Sequence, residues 1–128
     1  MNVHVVLDTT ALVAYARLDG LAVGELMKEV GDNGGTIGVP APAWADAYAT
    51  VDPGGRKHLL AMLADDNYIL ILPMPADDLP DVGEISARLP LPLAHAIVQT
   101  RRYGASLATL DPRSVADDMN NYDVFDLN

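Results

Sequence analysis

Apolar and polar positions fall in blocks that predict strands alternating with helices. Val3-His4-Val5-Val6-Leu7 is rich in β-branched residues and halts at Asp8-Thr9-Thr10, whose polar side chains suit a helix cap. A buried strand should therefore run directly into a short helix over Ala11–Leu18. A second helix is expected over Leu21–Val30, with Gly31 as its stop and Gly34-Gly35 as a turn. Thr36–Val39 reads as a short strand, followed by a helix that Pro40 and Pro42 open and that carries Ala43–Tyr48. Asp52-Pro53 restarts a helix to about Leu63. Tyr68–Leu72 is continuously apolar, the pattern of a strand covered on both faces.

The remainder repeats the alternation. A polar connection with Asp77, Asp78, Asp81 and Glu84 leads into a helix reaching Leu89, and Pro90-Leu91-Pro92 interrupts the chain before a helix over Ala94–Tyr103 that Gly104 closes. Ser106–Leu110 predicts a strand ending at Asp111-Pro112, and Tyr122–Phe125 a last edge strand. Strand-helix alternation implies a mostly parallel sheet with helices on both faces. Ligands in such sheets gather beyond the carboxyl ends of the strands, where Asp8 and Asp111 are expected. If the two strands are neighbours, both carboxylates face one crevice and form a candidate site for a hard metal ion. The plainer alternative is that each caps the helix after it.

Size and charge narrow the picture. A chain of 128 residues, half of them hydrophobic, suffices for one core, so residues 1–128 are expected to form a single domain. No cysteine is present, which excludes disulfides and thiolate metal sites and suits a reduced cytoplasm. Neither a signal peptide nor an apolar run of membrane-spanning length occurs, so no membrane partner is expected. Eighteen acidic against eight basic side chains give a formal charge of -10, which repels a phosphate backbone unless basic groups are gathered locally. Only Arg56-Lys57 and Arg101-Arg102 are adjacent, and a solvated helix face explains them. The acidity suits a partner with basic side chains or carboxylates awaiting a divalent cation.

Val6-Leu7-Asp8-Thr9-Thr10-Ala11-Leu12-Val13-Ala14 resembles the opening of PIN domains. Val39–Tyr48, Ala94–Val98 and Ala105–Pro112 resemble the later segments of that family, in order and spacing over nearly the whole chain. The similarity is greatest to toxin ribonucleases of bacterial VapBC-type toxin-antitoxin pairs. It implies a three-layer α/β/α fold with a mostly parallel central sheet of four or five strands. It also implies a Mg²⁺ or Mn²⁺ site in which Asp8, Asp46 and Asp111 are the ligands and catalytic acids, with Thr10 toward substrate. His95, an imidazole near the place of a lost carboxylate, is a further candidate substrate contact on its own chemistry. Two departures stand out. Asp46 occupies a position where the family has glutamate, one methylene longer. A further family acid falls about three residues before His95, and Leu89-Pro90-Leu91-Pro92-Leu93-Ala94 offers no carboxylate there.

Three functions compete on these grounds. One is a PIN-like binding or regulatory module whose acidic site is incomplete, a homodimer or a partner of an antitoxin or other protein. Another is a Mg²⁺- or Mn²⁺-dependent endoribonuclease toxin that cuts single-stranded RNA. The last is an unrelated doubly wound ligand-binding domain. Asp81, Glu84 and the Asp117-Asp118 pair are candidates to replace the lost acid, with solvated surface as their ordinary role. His95, alone on an apolar helix, is more often packed than functional. Trp44 and Tyr48, four apart, suit core or dimer packing better than base stacking.

Overall fold

The computed structural model describes residues 2–18, 21–65 and 67–128. Five strands, β1 (Val3–Leu7), β2 (Thr36–Pro40), β3 (Ile69–Leu72), β4 (Ser106–Thr109) and β5 (Val124–Asp126), form one sheet in the order β3-β2-β1-β4-β5. Every adjacent pair is parallel. Among the described residues, six α-helices flank it: α1 (Thr9–Arg17), α2 (Leu21–Asp32), α3 (Ala41–Thr50), α4 (Pro53–Leu63), α5 (Leu79–Ser86) and α6 (Leu91–Tyr103). Among the described residues, no helix is long and apolar enough to cross a membrane.

Strand alternation divides the apolar side chains between two cores. Val5, Leu7, Ile37 and Val39 join residues of α1 to α4 on one face, while Val3, Val6, Leu72 and Leu107 join α5 and α6 on the other. Val3 and Val6 share a face although three apart, because the β1–β2 register shifts between Val3 and Val5. Gly38 of β2 leaves room for the second core to close: a Cβ there would lie 2.8 Å from Leu72 Cδ1 and 3.0 Å from Val3 Cγ1. β3 is an outer strand, yet Ile69 and Ile71 pack on one core and Leu70 on the other. Cover on both faces explains its unbroken apolar run.

Several predicted boundaries move. α5 ends at Ser86 rather than Leu89, because the Arg88 and Leu89 amides both turn to the Ile85 carbonyl. α2 continues through Gly31 to Asp32, and the turn comes at Gly34, whose φ is +74°. Gly31 lies against the Tyr68 ring, where a Cβ would come to contact distance at 3.4 Å. α6 starts at Leu91, so Pro90-Leu91-Pro92 opens that helix. Pro92 lies in the first turn, where the missing N–H has no intrahelical acceptor to lose. The last strand begins at Val124, with a 3-10 turn over Asn121–Asp123 before it.

α6 is buried continuously from Ala94 to Thr100, packed between sheet, α3 and α5. Two of its buried polar side chains find partners: Thr100 Oγ1 donates to the Ala96 carbonyl at 2.8 Å and Gln99 Nε2 to Asp78 at 2.8 Å.

Candidate functional site

The carboxyl ends of β1 and β4 lie side by side, because these strands pair in register with Leu7 opposite Ala108. The Asp8 amide continues the ladder to the Ala108 carbonyl at 3.2 Å. Extended backbone at Asp8 then turns its side chain over the first turn of α1, where Oδ1 accepts from the Ala11 amide at 2.9 Å. Capping is thus one real role of this residue, worth about 0.5–2 kcal/mol. Thr10 Oγ1 donates to the same oxygen at 2.6 Å. Asp8 is only 2% exposed, and that burial pushes its carboxyl above the ordinary range despite the bonds from Thr10, Thr109 and Ala11 that favour the anion.

Thr109, which sequence reasoning passed over, joins the two strand ends. Its hydroxyl lies 3.3 Å from that of Thr10 and accepts the Asp111 amide at 3.0 Å, while Thr10 Oγ1 accepts the Leu110 amide at 2.9 Å. The available clue was a hydroxyl residue at the end of an otherwise apolar strand, two positions before the aspartate. Asp111 itself is exposed, and its side chain makes no capping bond to the 3-10 turn over Pro112–Val115. That turn is held through the Asp111 carbonyl, which accepts from Ser114 Oγ at 2.8 Å and from the Ser114 amide at 3.2 Å.

A cleft of about 280 Å³ opens over this corner, and Asp8, Thr10, Asp46 and Asp111 all line it. Asp46 arrives from α3 and is exposed. The N-terminal end of α6 and the segment before it complete the wall with Leu89, Pro90, Pro92 and Leu93. Where a further acid was sought, the cleft is therefore apolar. Among the described residues, no three His, Cys, Asp or Glu side chains stand together as a group able to hold a metal ion. Asp8, Asp46 and Asp111 share the cleft without closing into a coordination shell, and Asp8 already commits one oxygen to Ala11 and Thr10. As they stand, these donors do not fit a tightly held divalent ion, which needs several oxygens at short range.

The substitute acids do not line the cleft either. Asp118 forms a two-pronged pair with Arg88 at 2.7 and 3.0 Å, which holds its carboxyl below the usual range. Asp81 borders a separate hollow with Arg101 and Arg102. His95 also stands outside the cleft lining: it is fully buried, and its Nε2–H donates to the Pro73 carbonyl at 2.8 Å. Burial lowers its pKa, opposed by the Pro73 bond and by Asp78. This is a packed histidine, with Nδ1 left without a partner.

A chain in the crystal structure of VapBC2 from Rickettsia felis, bound to a DNA fragment from their promoter, superposes with a TM-score of 0.69. The likeness spans 97% of this chain and 98% of that one at 16% identity, so it speaks for the fold. The fold is PIN-like. No protein-family model matches the sequence, and no curated protein matches it.

Within this PIN-like fold Trp44, Tyr48 and several of the arginines are internally engaged. Trp44 and Tyr48 stack with centroids 5.1 Å apart, and Arg56 covers Tyr48 at 4.7 Å. Trp44 Nε1 also donates to the Leu59 carbonyl at 3.2 Å. With Tyr48 flanked by both groups, the stack offers little room for a base. Arg102 pairs with Asp78, and Arg101 donates to the Asp118 carbonyl at 2.6 Å.

Proposed function

We propose that residues 1–128 form one PIN-like domain acting as a binding or regulatory module, with at most weak affinity for Mg²⁺ or Mn²⁺ and without strong nuclease activity. The observation carrying this is the apolar wall of Leu89, Pro90, Pro92 and Leu93 facing Asp8, Asp46 and Asp111. With no further carboxylate on that wall, a divalent ion would rely on water for most of its ligands. The partner is a protein, an antitoxin or another chain with basic side chains, since a charge of -10 repels nucleic acid and attracts cationic surfaces. Assembly as a homodimer and residence in the cytoplasm belong to the same proposal.

A second function has a specific observation in its favour. Asp8, Thr10, Asp46 and Asp111 line one cleft, which supports a metal-dependent endoribonuclease toxin acting on single-stranded RNA. In that case the three carboxylates would hold the ion and Thr10 would orient Asp8, while the ion would supply an activated water. The PIN-like fold leaves an unrelated doubly wound module without support.

Titration of the protein with Mn²⁺ and Mg²⁺ by calorimetry, beside Asp8→Asn, separates the two. No saturable binding at millimolar metal is expected. Saturable binding that Asp8→Asn abolishes, together with RNA cleavage that EDTA stops, would establish the ribonuclease instead.

A further inference from the structure

Asp111 reaches the cleft from a corner that its own side chain does nothing to hold. Its φ and ψ of -127° and 70° belong to no regular element, and its carboxylate forms no capping bond. The corner is fixed through the backbone on two sides. On the cleft side, Thr10 and Thr109 take the amides of Leu110 and Asp111. On the other side, the residues at the end of β5 take the carbonyls: the Leu127 amide donates to Thr109 at 3.0 Å, and Asn128 Nδ2 donates to Leu110 at 2.8 Å. Both backbone polar groups of Leu110 are thereby pinned by side chains, one from each direction.

Asn128 is itself oriented. Asp126 Oδ1 accepts from the Asn128 amide at 2.9 Å and from its Nδ2 at 2.7 Å, so the two side-chain hydrogens are divided between Asp126 and Leu110. Leu127 between them is buried, which anchors the segment in the core and leaves Asn128 at its surface edge.

We propose that Asn128 is a positioning residue for the cleft, holding Asp111 in place through the Leu110 carbonyl. This rests on the cleft shared by Asp8, Asp46 and Asp111 being the functional site. Loss of the amide leaves the Leu110–Asp111 peptide held at its N–H end alone, by Thr109, and Asp111, whose side chain forms no capping bond, shifts with the loosened peptide. Asp126 supports the arrangement from behind by fixing the Asn128 amide.

NMR of the full chain tests this without any ligand, so a cleft that binds nothing leaves the result intact. Asn128→Ala removes the amide, and Asn128→Asp keeps the shape while replacing the donor to Leu110 with an acceptor. In both variants the Cα and Cβ shifts and the HN–Hα coupling of Asp111 should move toward those of irregular chain. The Asp111 amide, in the same peptide unit as the Leu110 carbonyl, should exchange about tenfold faster, while amides of β1 and β2 keep their protection. Asp126→Asn, which retains Oδ1 as acceptor, should leave Asp111 as in the parent. Unmoved Asp111 signals in both Asn128 variants would overturn the proposal. So would a uniform loss of protection throughout β4 and β5, since Asn128 would then merely secure the strand. Metal binding by the parent chain alongside unmoved Asp111 signals would overturn this inference and the binding-module assignment separately.

Discussion

Thr10 and Thr109, ninety-nine positions apart, bring their hydroxyl oxygens to 3.3 Å across the seam between β1 and β4. Each also accepts a backbone amide from the segment leading to Asp111, so the pair ties the buried aspartate to the exposed one. Thr109→Val keeps the shape and leaves the Asp111 amide without its acceptor. Thr10→Val does the same to the Leu110 amide and strips Asp8 of a donor. Each should cost about 0.5–1.5 kcal/mol in urea unfolding, the net worth of a typical hydrogen bond, since both amides are only partly buried. Because they share one network, the double variant should cost less than the two losses added together. Strict additivity would show that the hydroxyls act independently.

Asp8 gives an effect of the opposite sign. Burial raises its folded pKa above the ordinary value of 3.8, so the native state holds the proton more tightly than the unfolded chain. Its contribution to stability is complete below about pH 3.8 and is lost as pH rises through the folded pKa. Asp8→Asn keeps a good cap for Ala11 and removes the charge, so the variant should melt above the parent at pH 7. The gap should narrow in acid. Asp8→Ala, which also loses the cap, should give back about 0.5–2 kcal/mol of any gain. An Asn variant that melts below the parent at neutral pH would refute this account.

Local chemistry made much of this fold legible. Val3–Leu7 announced a strand by β-branching, Asp8 a cap by its place before an apolar helix, and Gly104 a stop that its φ of +60° bears out. The pairing of β1 with β4, which the shared crevice required, was conditional in the sequence because it joins residues about a hundred positions apart. The role of Thr109 was hidden for the same reason, as its partner Thr10 is distant in the chain. Proline misled at α6, since Pro90-Leu91-Pro92 carries the chemistry of both a break and a helix start. Only packing decides between them.

His95 is expected to make the protein acid-sensitive. Its folded pKa lies below the ordinary 6.5, so the unfolded chain binds the proton more readily. Stability from this group is full above about pH 6.5 and declines as pH falls toward the folded value. The protonated ring would carry a second N–H at Nδ1, where no acceptor stands. His95→Gln removes the titration while keeping a donor toward the Pro73 carbonyl. Melting temperatures of the parent minus the variant should therefore fall between pH 7 and pH 5. A constant difference over that interval would mean that His95 does not titrate with unfolding.

Leu18 offers a stabilising substitution. It closes α1 in the left-handed region, with φ of 59° and ψ of 25°, while its amide bonds to the Ala14 and Tyr15 carbonyls. A side chain in this conformation costs roughly 1–2 kcal/mol against the following carbonyl, a cost glycine escapes. The leucine recovers little through burial, because it remains 71% exposed. Leu18→Gly keeps the closing bonds and removes the clash, offset in part by the extra freedom glycine gives the unfolded chain. A net gain of about 0.5–1 kcal/mol is expected, read as a higher urea midpoint at unchanged slope. A lower midpoint would show that the Leu18 side chain, despite its exposure, contributes more through contact than its backbone loses through strain.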